Sequence, residues 1–158
     1  GVNLNFKNYK INDDNINICF IDPSGSSRFS FLNEAYIKDI NIVFYLFDLS
    51  NPNSFNNIQD KIDIFNKLNN IKIYEYLIGS KSDKTSNIDK NDITEICKQN
   101  NIKYYSISNQ NSKDFELINN LIYKYLLSKK HDTSPIFNDI KILKIKDRDY
   151  YCGWLLPC

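Results

Sequence analysis

The feature that most constrains the fold is the alternation of two hydrophobic periodicities along the 158 residues. Strand-like runs are separated by segments in which apolar residues return every three or four positions, as on one face of a helix. The strand-like runs are residues 2–11, 15–21, 40–48, 71–78 and 102–107. Helical spacing is marked by Phe55, Ile58, Ile62 and Phe65, then by Ile93, Ile96 and Cys97, and then by Ile118, Leu121, Ile122, Tyr125 and Leu126. This order predicts an α/β fold, with a central and mostly parallel sheet flanked by helices.

The first two runs are predicted to pair with each other in antiparallel fashion, because Asp13 and Asp14 supply a turn between two alternating patterns. The run at 40–48 is almost continuously apolar, as expected for a strand covered on both faces. In such sheets ligands bind at the carboxyl ends of the strands. The residues at those ends are Asp22, Asp48, Ser80 and Ser108.

Composition excludes several classes of protein. The formal net charge of +1 gives no broad basic surface, so nucleic acid is not expected as a partner. Four cysteines without metal-ligand spacing and a single histidine, His131, do not form a zinc site. The longest apolar run, residues 42–47, is far short of the roughly 20 residues that span a bilayer. No secretory signal pattern is present.

The N-terminal and C-terminal ends of the sequence each lead to a prediction. The sequence contains no Met and opens at Gly1, which predicts a processed or incomplete product. Hydrophobic order fades after Lys130, so we predict one domain over residues 1–129 and a C-terminal tail over 130–158. That tail includes a mixed Ile and Lys stretch at 140–146.

Five segments, in order, resemble small GTPases of the Rab branch of the Ras superfamily. Residues 1–6 (GVNLNF) resemble the strand after switch I, and residues 19–29 (CFIDPSGSSRF) resemble the D-x-x-G motif and switch II. Residues 47–55 (FDLSNPNSF) resemble the fourth strand and its exit. Residues 77–83 (LIGSKSD) resemble the N-K-x-D loop, and residues 104–110 (YYSISNQ) resemble the S-A-K region. The match covers roughly residues 1–128 and implies the P-loop NTPase-like fold of small GTPases. A flavodoxin-like or receiver fold is the rival, but the chain has no acidic cluster at the end of its first strand.

The resemblance assigns a task to each motif. Asp22 would hold Mg²⁺ through water, and the Gly25 N–H would meet the γ-phosphate. Asp83 would accept two hydrogen bonds from guanine, while the stem of Lys81 would lie against the purine face. The alternative interpretations are that Asp22 caps the switch loop, and that Lys81 and Asp83 belong to an ordinary solvated turn. Asp48 is expected to cap the turn that follows it.

The chain also departs from the family pattern. Ser26 replaces the Gln that orients the attacking water, and Ser80 replaces the Asn of N-K-x-D. In the S-A-K region, Ser108 is kept, Asn109 would offer its backbone N–H to the base, and Gln110 replaces the Lys. No catalytic residue is therefore assigned, and GTP hydrolysis is not expected.

The family's phosphate loop, G-x-x-x-x-G-K-[ST], does not occur in residues 1–158, and neither does the strand that precedes it. Binding of GTP or GDP with Mg²⁺, which the family implies, should therefore be poor. In the family that first strand lies between the strands matched here by 16–22 and 40–48. Its loss would leave two buried edges with unpaired N–H and C=O groups. Either the two strands close the gap directly, or the missing segment lies upstream.

The resemblance implies a divergent GTP-binding switch of intracellular vesicle traffic, and the alternative is a pseudo-GTPase that serves as an interaction module. The expected partners are effector or regulator proteins, and the expected state is a monomer. The expected location is cytoplasmic, or peripheral on Golgi or endosomal membranes. Cys158 is a candidate lipidation site, although 152–158 is neither a C-C, a C-x-C nor a C-a-a-X ending, so only weak membrane association is expected.

Overall fold

A computed structural model describes residues 2–11, 14–23, 40–68, 73–108, 110–129 and 140–145. Within these ranges the elements are β1 (Val2–Ile11), β2 (Asp14–Pro23), β3 (Ile40–Asp48), a 3₁₀ turn (Pro52–Ser54), α1 (Ile58–Leu68), β4 (Tyr74–Ser80), α2 (Lys90–Asn100), β5 (Lys103–Ser106), α3 (Ser112–Lys129) and β6 (Ile140–Ile145). The predicted α/β class is confirmed, and each predicted strand and helix has a counterpart in this order.

Local signals explain where the helical segments begin and end. The Asn51 side chain accepts the N–H of Asn53, and Pro52 occupies the first position of the 3₁₀ turn. The Asp89 carboxylate caps α2 by accepting the N–H of Asn91. Asn101 ends α2 in the left-handed conformation, with φ 55° and ψ 39°, as is common at helix C-termini.

The six described strands form one sheet in the order β1-β2-β6-β3-β4-β5. β1 and β2 are antiparallel, as predicted, with a register that runs from Val2 opposite Pro23 to Ile11 opposite Asp14. The remaining neighbours in the sheet are parallel. Their carboxyl ends therefore lie at one edge of the sheet, where the candidate site was expected.

The strand β6 fills the central gap between β2 and β3. It pairs in parallel with β2 from Ile18 opposite Ile140 to Ile21 opposite Leu143, and with β3 up to Tyr45 opposite Ile145. The N–H and C=O groups that β2 and β3 would otherwise leave unpaired thus find partners in a strand from the C-terminal part of the chain. Neither predicted solution for the gap describes this arrangement, and part of the segment predicted as a tail lies in the middle of the sheet.

Apolar side chains pack on both faces of the sheet. On one face α1 and α2 cover the sheet through Ile58, Ile62, Phe65 and Ile93. On the other face α3 packs through Ile118, Leu121, Ile122, Tyr125 and Leu126, and Ile140 and Ile142 of β6 belong to that cluster. None of the described helices is long and apolar enough to cross a membrane.

Candidate functional site

Polar side chains from neighbouring parallel strands meet at the carboxyl edge of the sheet. Asp48 ends β3 and lies opposite Ser80, which ends β4. Asp22 lies near the end of β2, and Ser108 follows β5 by two residues. The structure thus places along one edge the four strand-end residues that the sequence predicted there.

Asp48 is almost fully buried and its two carboxylate oxygens have separate tasks. Oδ1 accepts the backbone N–H of Ser50 at 2.8 Å and the Ser50 hydroxyl at 2.7 Å. Oδ2 lies 3.2 Å from the ammonium nitrogen of Lys81. The prediction that Asp48 caps the following turn is confirmed, and the carboxylate also forms an ion pair that the sequence did not predict.

Ser80, which stands where the family has Asn, serves to hold two strands together. Its hydroxyl donates to the carbonyl oxygen of Phe47 at 2.7 Å, and its own carbonyl accepts the N–H of Leu49 at 3.1 Å. Ser80 is 3% exposed, so these bonds are shielded from water. The residue braces the end of β4 against β3.

The loop after β4 brings Asp83 to Ser108. The Ser108 hydroxyl donates to Oδ1 of Asp83 at 2.5 Å, and the N–H of Ser82 donates to the carbonyl oxygen of Ile107 at 3.0 Å. The hydrogen bond from Ser108 holds the pKa of Asp83 below its ordinary value, with a smaller contribution from the backbone N–H of Asp83 itself. Asp83 remains exposed to solvent. Two segments that the sequence predicted as one base-reading site are therefore in contact.

Sequence reasoning missed one residue that supports this contact. The backbone N–H of Ser108 donates to Oδ2 of Asp114 at 2.6 Å. Asp114 lies in the first turn of α3. An acidic residue six positions after Ser108, at the start of a strong helical pattern, was the available signal.

Other predicted site residues lie outside the described part of the chain, namely Gly25, Asn109 and Cys158, together with Ser26. Gln110 is described and exposed. The described residues bring no three His, Cys, Asp or Glu side chains together as a metal site. The sequence predicted Asp22 as the residue for Mg²⁺, and the structure places the carboxylate of Asp48 at the same sheet edge, bonded to Ser50 and Lys81.

Comparisons with known proteins agree with this architecture. The sequence profile of the Ras family matches residues 1–128. Ras-related protein RabH of Dictyostelium discoideum is 25% identical over 153 residues, which cover 95% of this chain and 75% of RabH. RabN1 of the same organism is 29% identical over 143 residues, which cover 79% of this chain and 66% of RabN1. Rab-26 of Rattus norvegicus is 24% identical over 157 residues, which cover 96% of this chain and 61% of Rab-26.

Proposed function

The chain belongs to the Ras family, and from that premise we propose that it is a Rab-type domain of membrane traffic that recognises guanine nucleotides through the loop between β4 and α2. The contact between Asp83 and Ser108 carries this proposal. A carboxylate only accepts hydrogen bonds, and guanine offers two adjacent donors, N1–H and the 2-amino group. Adenine offers one donor next to an acceptor on the same edge, so Asp83 favours guanine.

Hydrolysis is not part of the proposed function. A serine at position 26 is too short to orient water as the family's Gln does. When bound, Mg²⁺ supplies charge neutralisation at the phosphates, and Asp22 is the residue that would hold it through water. The chain's own contribution is then recognition of the base, and GTP turnover is expected to be negligible.

A second candidate function, a pseudo-GTPase that acts as an interaction module, is favoured by β6. In the family, the strand between the counterparts of β2 and β3 leads into the phosphate loop. Here β6 pairs at that position with both neighbours, and the residues that follow it, 146–151, read KDRDYY rather than a glycine-rich phosphate loop. A sheet completed in this way has no need of nucleotide for its central pairing.

Either candidate needs a surface for protein partners, and β1 offers one. Leu4 and Phe6 are two positions apart and therefore project from the same face of the strand. Leu4 is 45% exposed and Phe6 71% exposed. Exposed apolar side chains on an outer strand suit an effector or regulator protein better than a nucleic acid. We propose that effectors of membrane traffic contact this strand.

The test is equilibrium binding of GDP and ADP to the purified full chain by calorimetry. The proposal expects GDP to bind more tightly than ADP, and Asp83→Ala to remove the difference. Asp92→Ala, an exposed carboxylate in the first turn of α2, is the matched control and should leave the preference intact. Equal binding of GDP and ADP by the unmutated chain would show the loop to be vestigial. No binding of either would favour the pseudo-GTPase.

The proposed membrane association rests on Cys158. One lipid chain gives only marginal and reversible binding, so a mostly cytosolic protein with a small membrane-bound pool is expected. Fractionation of cells that express the wild type and Cys158→Ser measures that pool. A membrane fraction unchanged in the variant would remove lipidation of Cys158 as its cause.

A further inference from the structure

The carboxylate of Asp114 reaches backwards along the chain. Its Oδ2 accepts the N–H of Ser108, six residues earlier, at 2.6 Å, and its Oδ1 accepts from the side-chain amide of Asn111 at 3.2 Å. An acidic residue in the first turn of a helix ordinarily contributes through the helix dipole or as a cap. The cap of α3 is supplied by Asn111, whose Oδ1 accepts the N–H of Lys113 at 3.1 Å. Asp114 therefore does not serve as the N-cap of α3.

Ser108, whose N–H is held by Asp114, also contacts Asp83. Its hydroxyl donates to Oδ1 of Asp83 at 2.5 Å and accepts the N–H of Gln110 at 3.2 Å. Ser108 is 8% exposed, while Asp83 is exposed on its loop. A buried serine anchored at both its N–H and its hydroxyl presents one fixed donor to a side chain that would otherwise rotate in solvent.

We propose that Asp114 is a positioning residue for guanine recognition, which fixes Ser108 so that the Ser108 hydroxyl holds the Asp83 carboxylate in one orientation. This rests on the proposed function of Asp83 as the base-reading group. Asp114 acts through Ser108 and does not itself contact the base. Pre-orienting an exposed carboxylate reduces the conformational entropy that is lost when the nucleotide binds, and so reduces the free-energy cost of binding.

The first experiment measures the link without nucleotide, by an NMR titration of the Asp83 carboxyl in the full chain. In Asp114→Ala the pKa of Asp83 should rise towards its ordinary value, as it should in Ser108→Ala. Loss of a nearby negative charge alone would lower that pKa, so the sign of the shift separates positioning from simple electrostatics. Asp114→Asn keeps an oxygen acceptor for the Ser108 N–H and should leave the pKa of Asp83 low. Asp92→Ala is the control and should not move it.

The second experiment measures GDP, IDP and ADP binding to the same variants. Asp114→Ala should weaken GDP binding about tenfold, because binding must then immobilise an Asp83 side chain that is no longer held in place, and should leave ADP binding unchanged. IDP lacks the 2-amino group, so the preference for GDP over IDP reports the orientation of Asp83 and should fall in the variant. Circular dichroism melts verify that each variant is folded.

The outcomes distinguish the two proposals. An Asp83 pKa that stays low in folded Asp114→Ala overturns the positioning role, whatever the nucleotide data. A pKa that rises, combined with no GDP binding by the wild type, retains the link between Asp114 and Asp83 and overturns the proposed function. A pKa that rises while the preference for GDP over IDP is unchanged shows that positioning does not serve base recognition, and it overturns the inference.

Discussion

The ammonium nitrogen of Lys81 lies 3.2 Å from Oδ2 of Asp48, across the ends of two parallel strands. Lys81 has φ 58°, a left-handed conformation that costs a residue with a side chain roughly 1–2 kcal/mol. Its carbonyl accepts the N–H of Lys84, and its side chain is held by a carboxylate that is 3% exposed. These contacts fix the turn that leads to Asp83. The ion pair therefore links the loop after β4, proposed to recognise the base, to the core of the sheet.

Replacing Asp48 with Ala should destabilise the protein by about 1–3 kcal/mol, because the N–H of Ser50 and the Lys81 ammonium lose a shielded acceptor. Urea unfolding followed by circular dichroism measures the free energy of unfolding. Asp63→Ala is the control, since this exposed carboxylate on α1 accepts one solvent-exposed bond from Gln59. It should cost about 0.5 kcal/mol or less. Equal losses in the two variants would show that the ion pair has no structural role.

The central strand β6 gives a second prediction. Ile142 is 1% exposed and lies between Phe20 and Ile42 in the sheet. Ile142→Ala should lower the free energy of unfolding by about 2–5 kcal/mol, because the surrounding side chains are held by pairing on both sides. Phe6→Ala removes a larger side chain that is 71% exposed and should cost about 0.5 kcal/mol or less. If Ile142→Ala proved as mild as Phe6→Ala, β6 would not be part of the folded core.

The position of β6 in the sheet could not be predicted from the sequence. The stretch at 140–145 reads IKILKI, a mixture of apolar residues and Lys, and its position after the last strong helix favoured a tail. Periodicity describes local conformation, whereas the position of a strand in a sheet depends on which edges remain unpaired. The antiparallel pair β1 and β2 was predictable because a short turn dictates its neighbours. A partner that lies about 120 residues away in sequence, as Ile140 does for Ile18, is not dictated in that way.

Part of the candidate site could be predicted from the order of strands, and part of it could not. Asp48 and Ser80 each end a parallel strand, so they lie at the same edge of the sheet regardless of their side-chain conformations. Their proximity therefore followed from the order of elements. The Lys81 ion pair and the bond from Ser108 to Asp114 depend on side-chain rotamers and on the first turn of α3. Such contacts are fixed by packing in three dimensions, and the spacing of residues along the chain does not specify them.

A third prediction concerns Gly79, which precedes Ser80 in β4. A Cβ at this position would lie 2.7 Å from the Tyr104 hydroxyl oxygen and 3.1 Å from Cγ of Leu49. Gly79→Ala should therefore destabilise the protein by about 1–3 kcal/mol, as overpacking does. Tyr104→Phe removes the nearest of these atoms, so the double variant should recover part of the loss in a double-mutant cycle. Additive losses in the cycle would contradict a clash between these two residues.

The last prediction concerns Glu75, whose Oε1 accepts the hydroxyl of buried Tyr45 at 2.6 Å. Partial burial raises the pKa of Glu75 above its ordinary value, and this effect exceeds the lowering by the Tyr45 hydrogen bond. The native state consequently binds the Glu75 proton more tightly than the unfolded state does. The contribution to stability is complete below the unfolded pKa and is lost as the pH rises through the raised native pKa.

At neutral pH the ionised Glu75 therefore makes the native state less stable than a neutral side chain at this position would. Glu75→Gln stays neutral at all pH values and still offers an oxygen to Tyr45, so it should unfold at a higher temperature than the wild type at pH 7. The gain should shrink as the pH falls and vanish below the unfolded pKa of Glu75. Thermal melts between pH 3 and 8 measure it, and Glu95→Gln, on the exposed surface of α2, should show no comparable gain. A Glu75→Gln variant less stable than the wild type at pH 7 would mean that the ionised carboxylate stabilises Tyr45, contrary to the burial argument.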